Sequence, residues 1–192
     1  ELGRRLDEKV SQMRAEGKNV TAVTVPRSGG GVGGLATNNF FRTASWNELR
    51  KLDLEGRLEA IRDADFRAKL VAELKDHPQA DVIARNTRDW FPLGLEDRPR
   101  YTGSEEESLY AIAGAAGEHP AETWLRLTLD SVGKMLFHHR GFIKNLDSLA
   151  ELITTDWAMP GLGDAGAHVS QMIDSGWSTF VLSHWFRDSR LY

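Results

Sequence analysis

The sequence predicts an α/β protein in which helix–strand units of a parallel sheet flank a largely helical insertion, and three patterns carry that prediction. Leu2, Leu6, Val10 and Met13 recur at helical spacing and are followed at once by the β-branched run 20–25. Towards the other end Leu146, Leu149, Leu152 and Ile153 repeat that helical spacing, and the apolar run from Ala158 follows them. Between the two units, from Phe40 to about Pro120, the text changes to short helical patterns joined by tight connections. Helix followed by short apolar strand is the repeating unit of a parallel sheet.

Each element has a local cause. Gly17 supplies the C-terminal stop of the first helix, and Pro26 ends the strand that Asn19 leads into. The segment 28–34 holds five glycines in seven residues. Glycine there permits close backbone approach to a ligand, but no Lys-Ser/Thr follows and the spacing fits neither standard phosphate-binding fingerprint, so a mobile loop is expected. Segments 46–51, 54–61 and 64–75 read as helices, 81–84 as a strand, and 88–92 and 98–101 as loops that proline keeps out of regular helix. Ser104 with Glu107 three residues on forms a capping box for a helix through Ala116, and Pro120 opens another through Ser131. Trp46, Trp90, Phe91 and Trp124 are read as the core of this block, with an acyl-chain pocket as the alternative. The apolar run 135–140 ends in His138 and His139, whose side chains on a strand point to opposite faces and so do not share one metal without irregular backbone.

Composition removes several classes of function. The chain has 192 residues, 41% of them hydrophobic, enough for a sizeable core. A net charge of -4, with Lys and Arg interspersed among Asp and Glu, gives no basic stripe for nucleic acid or an anionic membrane. With no cysteine there is neither a disulfide framework nor a thiolate metal site. No apolar run approaches membrane length and the first residues are charged, so the expected location is cytoplasmic, without a signal peptide.

The most informative stretch is 158–168, an apolar run that ends in Asp164 with His168 four residues beyond. A carboxylate at the C-terminal end of a buried parallel strand stands where α/β barrels place catalytic and metal-binding residues. The competing reading makes Asp164 a helix cap and the glycines a turn. Gly-Leu-Gly-Asp-Ala-Gly-Ala-His-Val from Gly161, followed by Thr-Phe-Val-Leu-Ser-His-Trp-Phe-Arg-Asp from Thr179, resembles the last barrel strand and following helix of the N-acyl-D-amino-acid deacylases (D-aminoacylases) of the amidohydrolase superfamily. The likeness extends through the unit from Leu2 to Pro26, the Phe40-Phe41-Arg42 and Ser45-Trp46 neighbourhood, and Asn145-Leu146-Asp147.

That resemblance implies a partial TIM-type (β/α) barrel with a largely helical cap inserted between two of its strands. The expected divisions are a barrel unit with its glycine-rich loop at 1–39, the cap at 40–132, and the final strand region with its helix at 133–192. It implies zinc-assisted hydrolysis of the amide of an N-acyl-D-amino acid, with Asp164 beside the metal as proton-transfer residue and metal contact. The resemblance implies His168 as a polar contact to the transition state or as a hydrogen-bonding partner of Asp164. Gly163 and Gly166 are expected to give close backbone approach, and Arg27 to meet the substrate carboxylate, while His184 and Arg187 are expected to be structural. The family's His-x-His pair does not occur; the six histidines are His77, His119, His138, His139, His168 and His184. The chain therefore reads as a C-proximal fragment that holds no zinc alone, and its open sheet is expected to associate with a second copy or with the rest of the barrel. The alternative is a non-catalytic fragment or a ligand-binding barrel relative without the metal-binding histidines.

Overall fold

A computed structural model of the chain describes residues 2–37, 41–97, 99–142, 145–163 and 174–191. The element order is α1 (Leu2–Ala15), β1 (Ala22–Thr24), β2 (Gly29–Gly34), α2 (Ala44–Lys51), α3 (Leu54–Arg62), α4 (Ala64–Lys75), α5 (Ala80–Asn86) and β3 (Trp90–Pro92). There follow α6 (Leu109–Ala116), α7 (Pro120–Asp130), β4 (Leu136–Phe142), α8 (Leu146–Ile153), β5 (Ala158–Pro160) and α9 (Trp177–Phe180), which runs on in π geometry over Val181–Asp188. The protein is thus mixed α/β. Among the described residues no helix is long and apolar enough to cross a membrane. The chain forms two compact units, one made of Glu1–Gly29 with Gly141–Tyr192 and the other of Gly30–Arg140.

In the first unit β1 and β5 pair in parallel, with Ala22 opposite Ala158, Val23 opposite Met159 and Thr24 opposite Pro160. The ladder continues at both ends, where Ala22 N donates to Trp157 O at 2.8 Å and Gly161 N donates to Thr24 O at 2.9 Å. Asn145 starts α8 by accepting from Asp147 N at 2.7 Å, which satisfies an otherwise orphaned amide of the first turn. The amphipathic spacing read from the sequence then buries Leu149 and Ile153 against Trp185. Trp157 is tied to α1 through its indole N–H, which donates to Asp7 Oδ1 at 2.7 Å.

The second unit is built on short capped helices around an aromatic core. Asp53 and Asp63 cap α3 and α4 by accepting from Gly56 N at 2.8 Å and Phe66 N at 2.7 Å. Trp46, Trp90 and Trp124 all belong to the main core, beside Phe41, Phe137 and Leu70, as the core reading expects. Trp46 also donates its indole N–H to Leu70 O at 3.0 Å, so this buried donor is satisfied. Phe91 is buried elsewhere, beneath the Arg140 guanidinium, whose carbon lies 3.6 Å from the ring centre.

Three local expectations are corrected. Residues 28–34 were expected as a mobile loop; Gly29–Gly34 is strand β2, in a three-stranded sheet of order β2-β4-β3. The reason is steric, because a Cβ on Gly34 would stand 2.6 Å from Met135 O, so the strand approaches its neighbour through missing side chains. Residues 81–84 are helical, not extended: Val82 and Ile83 donate to Gln79 O at 3.0 Å, and these local bonds override β-branched propensity. Residues 88–92, read as loop, contain strand β3, antiparallel to β4 with Trp90 opposite His139 and Phe91 opposite His138. Pro92 sits at the strand's last position, where its missing N–H costs little.

Candidate active site

The segments that leave the C-terminal ends of β1 and β5 depart from the same end of one sheet, because the two strands are parallel. Beyond β1 the chain turns inward through Pro26, Arg27 and Ser28, with Arg27 only 5% exposed and its side chain engaged in the fold. Trp185, buried on the π-helical turn, donates its indole N–H to Pro26 O and so fixes the backbone that carries Arg27. Beyond β5 come Gly161, Leu162 and Gly163, the approach to Asp164.

Gly161 is required by geometry. A Cβ there would stand 2.7 Å from Val23 Cγ1 on the paired strand, closer than real side chains pack. Leu162 follows with a φ of 70°, a left-handed conformation that costs a non-glycine residue about 1–2 kcal/mol. The backbone is thus forced out of the strand direction immediately before Gly163, which is half-buried. Asp164, Gly166 and His168 lie outside the described residues.

The remaining candidates separate from this strand end. His184 lies on the π-helical turn with its ring centre 4.5 Å from that of Trp185 and 4.9 Å from that of Phe180. Burial pulls its proton affinity below the ordinary histidine value and Asp188 partly restores it. Arg187 pairs with its neighbour Asp188 at 2.6 Å on the exposed side. In the second unit His138 is 3% exposed with its ring edge-on to Tyr101, while His139 packs edge-on against Trp90. Among the described residues no group of three or more His, Cys, Asp or Glu side chains stands close enough to hold a metal ion. A groove of about 540 Å³ runs between α4 and α7, lined by Ala64, Ala68, Val71 and Leu125 with Lys75 and Glu122 on its rim, and contains none of the residues singled out from the sequence.

Sequence reasoning missed Gly161 and the anchoring bond of Trp185. Both depend on a partner more than a hundred residues away, Val23 in one case and Pro26 in the other. Comparison with family models, with curated proteins and with solved structures finds no match to this chain.

Proposed function

We propose that the chain is the Asp164-bearing part of a metal-dependent amidohydrolase that cleaves N-acyl-D-amino acids to a carboxylate and a free amino acid. The observation that supports this best is the parallel pairing of β1 with β5, which starts the Arg27 segment and the approach to Asp164 from one sheet end. Barrel enzymes gather their working residues at the C-terminal ends of parallel strands. The partial TIM-type barrel of the amidohydrolases remains part of this proposal, with the inserted cap at 40–132, which lies within the Gly30–Arg140 unit.

In this reading Asp164 accepts the proton of the attacking water as the new C–O bond forms, and returns it to the amine as the C–N bond breaks. Zinc, when bound with Asp164 as one of its contacts, would polarise the scissile carbonyl and make that water more acidic. His168 stabilises the charge that develops, Arg27 pairs with the substrate carboxylate, and Gly163 and Gly166 let the backbone come close. The setting proposed is cytoplasmic, and the partner is the rest of the barrel or a second copy, which would cover the exposed Val23 and Met159 of the sheet.

The test is Asp164→Asn in the full-length protein, assayed on a panel of N-acyl-D- and N-acyl-L-amino acids alongside zinc analysis. A positioned general base contributes ~10²–10⁴ in rate, so kcat should fall by that order while bound zinc and Tm hold. Near-normal kcat with zinc bound would refute the role of Asp164 and leave the helix-cap reading. Absence of turnover and of zinc in the unsubstituted protein would favour the ligand-binding relative.

A further inference from the structure

His119 stands immediately before α7 and closes its first turn in a way that requires a neutral ring. Its Nδ1 accepts from Ala121 N at 3.2 Å, while its own amide donates to Glu122 Oε2 at 2.6 Å. A ring nitrogen that accepts carries no proton, so the proton sits on Nε2. The helix so fastened is central to its unit, since Ala121, Trp124 and Leu125 all lie in the main core. We propose that His119 is an acid-release catch for the Gly30–Arg140 unit: neutral, it holds the N-terminus of α7, and protonated, it loses that bond and sets a positive charge against the positive end of the helix.

The surroundings favour the neutral ring. Burial is the largest influence and lowers its proton affinity, Lys75 at the end of α4 acts in the same direction, and Glu122 opposes both. That opposing carboxylate is already engaged, bridging to Lys75 Nζ at 3.0 Å and accepting from the His119 amide. Glu118, the preceding residue, is committed to Arg126 at 2.9 Å and to Thr123 Oγ1 at 2.6 Å. Of the other helices packed on α7, α6 carries no charged side chain. On α3, Arg57 is spent on the carbonyls of Leu52, Leu35 and Arg50, Arg62 pairs with Glu59, and Glu55 lies in the first turn. Because the folded ring binds a proton less readily than the unfolded one, the catch contributes fully above about pH 6.5 and is lost as pH falls through the lower folded value.

His77 provides an internal comparison. Its Nδ1 accepts from Gln79 N at 3.0 Å ahead of α5, a helix that buries none of its own residues. Loss of that bond should leave the core untouched.

The experiment follows Tm of the whole chain from pH 8 to pH 5 for the parent protein, His119→Asn and His77→Asn. Asparagine caps a helix without titrating. Between pH 7 and pH 5 the parent should lose roughly fivefold more of its folded-to-unfolded ratio than His119→Asn, the equivalent of one helix cap, with His77→Asn following the parent. Nitrogen NMR of the parent should show the Nε2–H form of His119 at neutral pH, titrating below the ordinary histidine range. Superimposable pH profiles of the parent and His119→Asn would overturn the proposal. So would an Nδ1–H tautomer, a reading that stands even if the variant does not fold.

Discussion

The two units reach order by different means. The Gly30–Arg140 unit encloses an aromatic core in which Trp46 and Trp124 are fully buried, with ring centres 5.4 Å apart and nearly perpendicular. The other unit buries only Leu149, Ile153 and Trp185 in its described core cluster, and its parallel pair leaves Val23 54% and Met159 50% exposed. Parallel sheets are ordinarily covered on both faces, and a two-stranded sheet is marginal by itself. The helical unit therefore holds the larger enclosed core, whereas the strand pair leaves two of its apolar side chains to solvent.

The largest effect that would sharpen this contrast comes from the aromatic core. Trp124→Ala removes a side chain packed on Trp46, on Phe137 at 5.8 Å and on Phe41 at 6.4 Å, and should cost about 3–5 kcal/mol. Hydrogen exchange should show the loss across Gly30–Arg140. Trp185→Ala should instead release the amides around Pro26 and α8 while leaving those of α7 protected. Loss of α7 protection in Trp185→Ala would show that the two units unfold as one body, and the contrast would fail.

A smaller effect tests how the helical unit ties its helices together. Glu73 on α4 reaches the start of α2, accepting from Ser45 N at 2.9 Å, Ser45 Oγ at 2.6 Å and Thr43 Oγ1 at 2.5 Å. Burial raises its proton affinity, but the bonds from Ser45 and Thr43, with Lys69 nearby, outweigh it and hold the carboxyl below its ordinary value. A lowered folded value means the contribution is present above the unfolded value of about 4.3 and is lost as pH falls through the folded one. The group is half-exposed and screened, so Glu73→Gln should cost only about 1 kcal/mol at neutral pH, and acid unfolding followed by circular dichroism should show the gap closing below pH 4. A gap of unchanged size at pH 3 would assign the cost to packing instead of charge.

The legible part of the sequence was the part written in caps and periodic spacing. Pro120 marks a helix start by chemistry confined to one turn, and α7 begins where it places it, while the helical spans read at 54–61 and 64–75 match α3 and α4 to within a residue. Strand β2 was hidden because glycine has no side chain with which to write a two-residue period, and its extended state comes from β4 beside it. At the candidate site, Arg27 was visible from its place after β1. The need for glycine at 161 was not, because it is set by the Val23 side chain across the strand pair. Local sequence reports what the backbone does within a turn, and the contacts that shape the strand end are made over more than a hundred residues.

The smallest predicted effect compares how each unit ends a helix. After α1, Gly17 N donates to Arg14 O at 2.9 Å and Lys18 N to Met13 O at 3.1 Å, with Gly17 at a φ of 81°. After α7 the same pair of bonds recurs, Val132 N to Leu129 O at 2.9 Å and Gly133 N to Thr128 O at 2.8 Å, but the left-handed residue is a valine at a φ of 52°. Glycine is the usual residue there because a Cβ is crowded in that conformation, and a β-branched one is crowded most. The side chain of Val132 is 60% exposed, so little packing compensates for the strain. Val132→Gly should relieve about 1–2 kcal/mol of strain against about 0.5–1 kcal/mol of extra chain entropy, a net gain of about 0.5–1 kcal/mol and one to four degrees in Tm. Gly133→Ala is the opposing control, since its φ of 79° and a Cβ placed 3.3 Å from Leu35 Cδ2 make the same step destabilising. Calorimetry that found Val132→Gly no more stable than the parent would mean the surrounding unit accommodates the valine without strain, and the contrast between the two helix ends would fail.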